Sequence, residues 1–300
     1  MRLPATARKG FTLVELLLSL IVTAIVGGAL VRMVLSQARF MDQQEAWRNA
    51  RSVARGGINR LLSDLRVVEA GNGVAAAAAG GQDFTIRVPY AFGIICNLPT
   101  ASSLIVAMLP VDAQMYNATG HTGFAVRKTD DGVYTYYTSQ VAPVAANGGE
   151  INTCTAPGGT DKPITVGLSV NGSPAGLTLK LVATAAFNPV PKKGEIIFLY
   201  RSIRYQFKNS VAVPGRIGLF RTPVSNVAAE EELAAPFANT ARVNFYNLNT
   251  TPAQAAVPPL NNIRGLELVL DGMSERTPGG SAAPKTANVK TSVFFENRND

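Results

Sequence analysis

Residues 11–31, FTLVELLLSLIVTAIVGGALV, contain a single formal charge, the carboxylate of Glu15. At about 1.5 Å of rise per residue, a helix over this stretch is about 30 Å long, the thickness of the hydrocarbon core of a bilayer. Arg2, Arg8 and Lys9 come before it, and no acidic residue accompanies them. That asymmetry places the N-terminus in the cytoplasm and everything beyond Arg32 across the membrane. A secretory signal peptide fits less well, because its apolar region is about 7–15 residues long and ends in small residues at a cleavage site. Glu15 is then the anomaly, since an unpaired carboxylate in the apolar layer is costly. A cut between Gly10 and Phe11 would supply the missing cation as the freed α-amino group of Phe11. Presented by a neighbouring copy, that amine would match Glu15 and fix the axial register of packed helices.

The rest of the chain is foldable. Hydrophobic residues make up 47% and charged residues 16% of the 300 positions, which excludes a disordered chain and allows one or two folded units. The net charge of +8 overstates the basicity of the body, because without the first ten residues there are 25 basic against 20 acidic side chains. An excess of that size is weak support for a nucleic-acid partner.

Beyond the membrane run, Met33, Leu35, Phe40, Trp47, Ala50, Ala54, Ile58, Leu61, Leu65 and Val68 recur mostly at steps of three and four. This spacing predicts one long helix over about residues 12–69, its second half amphipathic and packed on a sheet. Gly27, Gly28, Gly56 and Gly57 are its weak points. Arg39, Arg48, Arg51, Arg55, Arg60 and Arg66 lie largely between the apolar positions, with Asp42, Glu45 and Asp64. They read either as a nucleic-acid stripe or as a solvated face that also meets anionic lipid heads, and the interspersed acids favour the solvated face.

Residues 71–82, GNGVAAAAAGGQ, read as a flexible connection. Strand composition follows at 84–88, 103–109, 124–128, 133–139, 177–184, 195–208, 216–222, 242–248, 263–272 and 285–298, mostly bounded by turn residues. The run at 195–208 is long enough for two strands or one bent strand. Asp130, Asp131 and Gly132, and likewise Asp271 and Gly272, read as hairpin turns. The two cysteines, Cys96 and Cys154, form an even pair in a translocated domain, which favours one disulfide over two buried thiols.

The N-terminal residues closely resemble a known signal. Basic residues, then KGFTLVE, then an apolar run are similar to the class III signal of type IV prepilins and type II secretion pseudopilins. The resemblance implies that a prepilin peptidase cuts after Gly10, that Phe11 becomes an N-methylated terminus, and that Glu15 supports filament assembly. Peptidase and methyltransferase are separate proteins, so no cofactor is expected of this chain. Strands over 195–300 resemble the C-terminal sheet of larger minor pilins and J-type pseudopilins. Many pilins carry a kinking proline near the position of Arg32; this chain has none.

The expected fold is therefore α+β and pilin-like, with one long N-terminal helix on an antiparallel sheet and an inserted, mostly-β subdomain. The expected parts are a leader (1–10), a transmembrane half-helix (11–31), an amphipathic half-helix (32–70), a linker and first strand (71–89), the insertion (90–190) and a C-terminal sheet (191–300). No catalytic constellation stands out. His121 is the only histidine and sits in the turn-like NATGHTG, where it reads as an exposed loop residue. There is no G-x-S-x-G elbow, no phosphate-binding loop and no local calcium loop, although calcium held by distant loops stays open. Tyr134 and Tyr136 share one strand face with Tyr137 opposite, as sheet packing requires; stacking on sugars or bases is the alternative.

The implied role is that of a non-enzymatic minor pilin in the inner membrane, its C-terminal domain periplasmic, later built into a filament beside other major and minor pilins. The alternatives are a type II secretion pseudopilin, or a pilus-tip module for DNA uptake or adhesion, its recognition surface in the insertion. Size points to a minor subunit, because a bulky head would crowd a fibre made of thousands of copies.

Overall fold

The computed structural model describes residues 12–116, 120–127, 132, 134–141, 144–145, 178–248 and 251–295. Helix α1 (Leu13–Leu65) runs without interruption through both glycine pairs. Its start is encoded locally. Thr12 is the N-cap in extended backbone conformation, and Glu15 completes a capping box. The helix ends at Leu65, a turn before the expected limit at 69.

Only the second half of α1 is packed. Ala46, Ala50, Ala54, Gly57, Ile58, Leu61 and Leu65 are its buried residues. Phe40 and Trp47, expected on the packed face, are 62% and 46% exposed. The apolar stretch at the N-terminal end has none of its side chains buried, as an element made for lipid or for neighbouring helices would.

Thirteen strands form one largely antiparallel sheet among the described residues. Its spine is a pair of long strands, β2 (Asp83–Thr100) and β8 (Ile196–Asn209). They pair from Asp83 opposite Gln206 to Ile94 opposite Ile196, with a bulge between Pro89 and Ala91. The 195–208 run is thus one strand. At the helix end, β8 pairs with β9 (Ile217–Pro223), which pairs with β10 (Glu231–Phe237). β12 (Ile263–Met273) then carries β11 (Arg242–Asn247) and β13 (Thr286–Phe294). At the other end, β2 pairs with β3 (Ser103–Ala107), β3 with β7 (Thr178–Val182), and β7 with β6 (Val144–Ala145). There β8 also pairs with β4 (Gly123–Arg127), which holds β5 (Tyr134–Thr138). Short helix α2 (Pro110–Met115) crosses near β2, where its Asp112 accepts a hydrogen bond from the Phe92 amide at 2.9 Å.

Two apolar cores follow from alternation along β8. Ile203, Tyr205 and Phe207 join Ala54, Ile58, Leu61, Leu65, Leu266 and Leu268 beneath the helix. Two turns of the pleat away, Ile197 and Leu199 join Leu104, Phe124, Tyr137, Leu179 and Leu181. Phe198 and Tyr200 face the opposite side with Tyr134 and Tyr136. The tyrosine run therefore packs as its alternation predicts.

Two expectations need correction. Residues 74–77, within the supposed flexible connection, form β1 (Val74–Ala77) and pair with Phe84, Thr85 and Ile86. The edge of β2 supplies partners for backbone groups that the alanine run itself does not call for. Asp271 and Gly272 are not a hairpin turn but lie inside β12, opposite Asn288 and Ala287. The reason is packing: a Cβ on Gly272 would sit 2.1 Å from the Ala50 carbonyl oxygen and 2.8 Å from the Ala54 nitrogen. Only glycine lets the helix backbone come this close. Asp130 and Asp131 lie outside the described residues.

Candidate functional site: the start of the long helix

The Glu15 carboxylate has partners within its own chain. The Thr12 amide and hydroxyl both donate to Glu15 Oε2 at 3.1 Å, and the Glu15 amide donates to Thr12 Oγ1 at 3.3 Å. A negative group in the first turn also opposes the positive end of the helix dipole. The sequence reading missed Thr12, although T-L-V-E has the spacing of a capping box and could have pointed to it. Glu15 thus has two uses, closing its own helix end and carrying a charge into an otherwise apolar surface. Thr12 and Glu15 are exposed, as are the apolar residues that follow: Leu13 is 79% and Leu20 65% exposed. Gly10 and Phe11 lie outside the described residues.

The head holds the helix through polar contacts at both ends of its packed half. Tyr205 OH donates to Asp64 Oδ2 at 2.6 Å and Arg221 Nε donates to the same oxygen at 3.0 Å. Near the membrane end, the Gly279 amide donates to Asp42, so the β12–β13 connection reaches the level of Arg39 and Asp42.

His121 departs from its expected place. Its side chain is 9% exposed, Nε2 lies 2.6 Å from Ser139 Oγ, and Nδ1 lies 3.2 Å from Tyr90 OH. The Arg201 guanidinium carbon stands 4.3 Å from the centroid of the Tyr90 ring. Burial, helped by the Arg201 charge, pushes the imidazole down to about 4. It is therefore neutral at pH 7, with one ring nitrogen donating and the other accepting. A serine next to a histidine suggests a nucleophile and its base, but Tyr90 occupies the orienting position where hydrolases of that type place a carboxylate. The trio instead pins three elements: β2 through Tyr90, the segment entering β4 through His121, and the bridge from Ser139 to Ala183. Among the described residues no group of three or more His, Cys, Asp or Glu side chains could hold a metal ion.

Cys96 is buried on β2, and Cys154 lies outside the described residues.

The prokaryotic N-terminal methylation motif matches residues 6–31, which include Arg8, Lys9, Gly10, Phe11, Glu15 and the apolar half of the helix. No curated protein and no solved structure matches the chain.

Proposed function

We propose that this member of the type IV prepilin and pseudopilin family is a minor pilin, a non-enzymatic subunit inserted into a type IV pilus or priming its assembly. The observation that carries the reading is the methylation motif leading into an apolar half-helix of which no side chain is buried. Such a surface needs lipid while the subunit waits and other helices once it is assembled. On this reading the peptidase cleaves after Gly10, Phe11 is methylated, and its amine meets Glu15 of an adjacent subunit. The head is periplasmic, and the half of the sheet carried by β3, β4 and β7 is the part displayed. A disulfide between Cys96 and Cys154 staples that half.

The size of the head supports a minor rather than a major role, since the thirteen strands among its described residues would already crowd a close-packed fibre. Mass spectrometry of the mature N-terminus, in cells with and without the prepilin peptidase, tests the reading. The expected product begins at methylated Phe11 only when the peptidase is present. Protein that keeps its first ten residues inside a working filament would refute it. Abundance in sheared pili equal to that of the main fibre protein would refute the minor role alone.

A further inference from the structure

The side chains of α1 beyond Asp42 divide by direction. Ala46, Ala50, Ala54, Ile58, Leu61 and Leu65 face the sheet, whereas Arg48, Arg51 and Arg55 are exposed. With 3.6 residues per turn, the three arginines fall within a sector of about 60°. No Asp or Glu occurs between Glu45 and Asp64. Glu45 is one turn from Arg48, but the residues three and four away from Arg51 and Arg55 offer no carboxylate. Instead Arg48 and Arg51 are neighbours at i, i+3, and Arg51 and Arg55 at i, i+4, spacings at which like charges destabilise a helix. The Arg51 guanidinium lies 5.6 Å from the ring of Trp47, itself 46% exposed.

The bilayer is too far away to be what this stripe meets. Arg48 is 17 residues beyond Val31, about 25 Å along the axis of an upright helix. Headgroups extend only about 6 Å past the hydrocarbon, and screening removes charge effects within about another 8 Å. The stripe does continue the line of exposed residues through Phe40, Met41 and Gln44 from the apolar half of the same helix. If that half packs on neighbouring helices, as the proposed function holds, the object beside Arg51 and Arg55 is a higher turn of a neighbouring helix.

A second copy of this chain is a poor occupant. Matching the Phe11 amine of one subunit to Glu15 of the next shifts the two helices by four residues, about 6 Å. The same shift sets Arg55 level with the copy's Arg51, and Arg51 level with its Trp47. Arg55 then faces a cation, Arg51 meets a ring that already carries the copy's own Arg51, and only Arg48, one residue from the level of Glu45, comes near a carboxylate.

We infer that Arg48, Arg51 and Arg55 form a docking stripe for the helix of a non-identical filament subunit that carries carboxylates at i, i+3 or i+4 spacing. The stripe selects a different neighbour over a second copy. The inference rests on the filament reading above and adds the chemical class of the partner.

The test uses the full chain in its host, with a photo-crosslinking amino acid in place of Arg51. Irradiated filaments are digested and the joined peptides mapped. The expected product joins residue 51 to a helical peptide of another chain with a prepilin signal, bearing at least two carboxylates at that spacing. Incorporation falls on the order of tenfold in the Arg48→Glu, Arg51→Glu, Arg55→Glu variant and is kept when all three are lysine. Crosslinks mainly to a second copy, to lipid or to nucleic acid overturn the inference, as does normal incorporation of the glutamate variant. The mature N-terminus is read from the same sample. A methylated Phe11 together with self-crosslinks overturns the docking stripe alone, whereas an intact leader overturns the filament reading.

Discussion

His121 is held between Tyr90 and Ser139 and almost withdrawn from water, so a proton reaches it more readily in the unfolded chain. Its folded pKa is about 4 against an ordinary 6.5. Between those values the unfolded state binds the extra proton, so stability is full above about pH 6.5 and falls as the pH drops toward 4. The two values correspond to a loss of about 3 kcal/mol across that window. Asp83 and Glu230, held below the usual carboxylate range by hydrogen bonds to Arg204 and Lys208, begin to lose their contributions only from about pH 5 down, so the comparison with a His121 variant is what isolates the imidazole. Denaturant midpoints of the detergent-solubilised protein at pH 7.5, 5.5 and 4.5 should therefore fall with pH. The His121→Gln variant, less stable at neutral pH, should flatten that decline. Equal slopes in the two proteins would show that the imidazole is not the group responsible. Nothing in NATGHTG announced this burial. Tyr90 and Ser139 lie 31 and 18 residues away, and only the pairing of β2, β4, β5 and β8 brings them to the ring.

The contact of α1 with β12 depends on small residues on both sides. Ala50 and Ala54 are wholly buried, and Gly272 lies beneath the helix backbone itself. A methyl group there meets main-chain atoms that cannot rotate away, so Gly272→Ala should destabilise the protein by about 1–3 kcal/mol. Leu61→Ala, which opens a cavity in the same core, should cost about 2–5 kcal/mol. Urea midpoints of the two variants give the comparison, and an unchanged midpoint for Gly272→Ala would mean the helix stands further off than described. The helix was legible because its apolar spacing is set by its own geometry. Its packed face was legible only from Ala50 onward, since Met33, Leu35, Phe40 and Trp47 share the spacing but are exposed. Strand β10 escaped notice because EELAAPF has little β-forming character and is held by β9 and by Phe237 opposite Gly272. In the same way Gly272 resembled a turn residue when its role is a close approach across layers.

For the molecule as a whole, the signal at residues 6–31 was plain in the sequence because it is local, a glycine, a phenylalanine, a glutamate and an apolar run that follow one another along the chain. The sharing of β2 and β8 between two cores was not, because it depends on which strands find one another. The same contrast bears on Glu15, for which a local and an intermolecular explanation compete. If its main task is to close its own helix, the capping box with Thr12 is what matters, and glutamine fills that place as well as glutamate. If its task is to meet a neighbour's amine, the charge matters and glutamine fails. Glu15→Ala removes both, and losing the cap alone should destabilise the helix end by about 1 kcal/mol, too little to abolish assembly. The expected order of filament incorporation is therefore wild type well above both variants, with Glu15→Gln as poor as Glu15→Ala despite its intact cap. Incorporation is measured by immunoblot of sheared filaments, and membrane levels of each variant are checked alongside. Wild-type incorporation of Glu15→Gln would assign the carboxylate to its own helix, and the register of neighbouring subunits would then have to be set by contacts higher on α1.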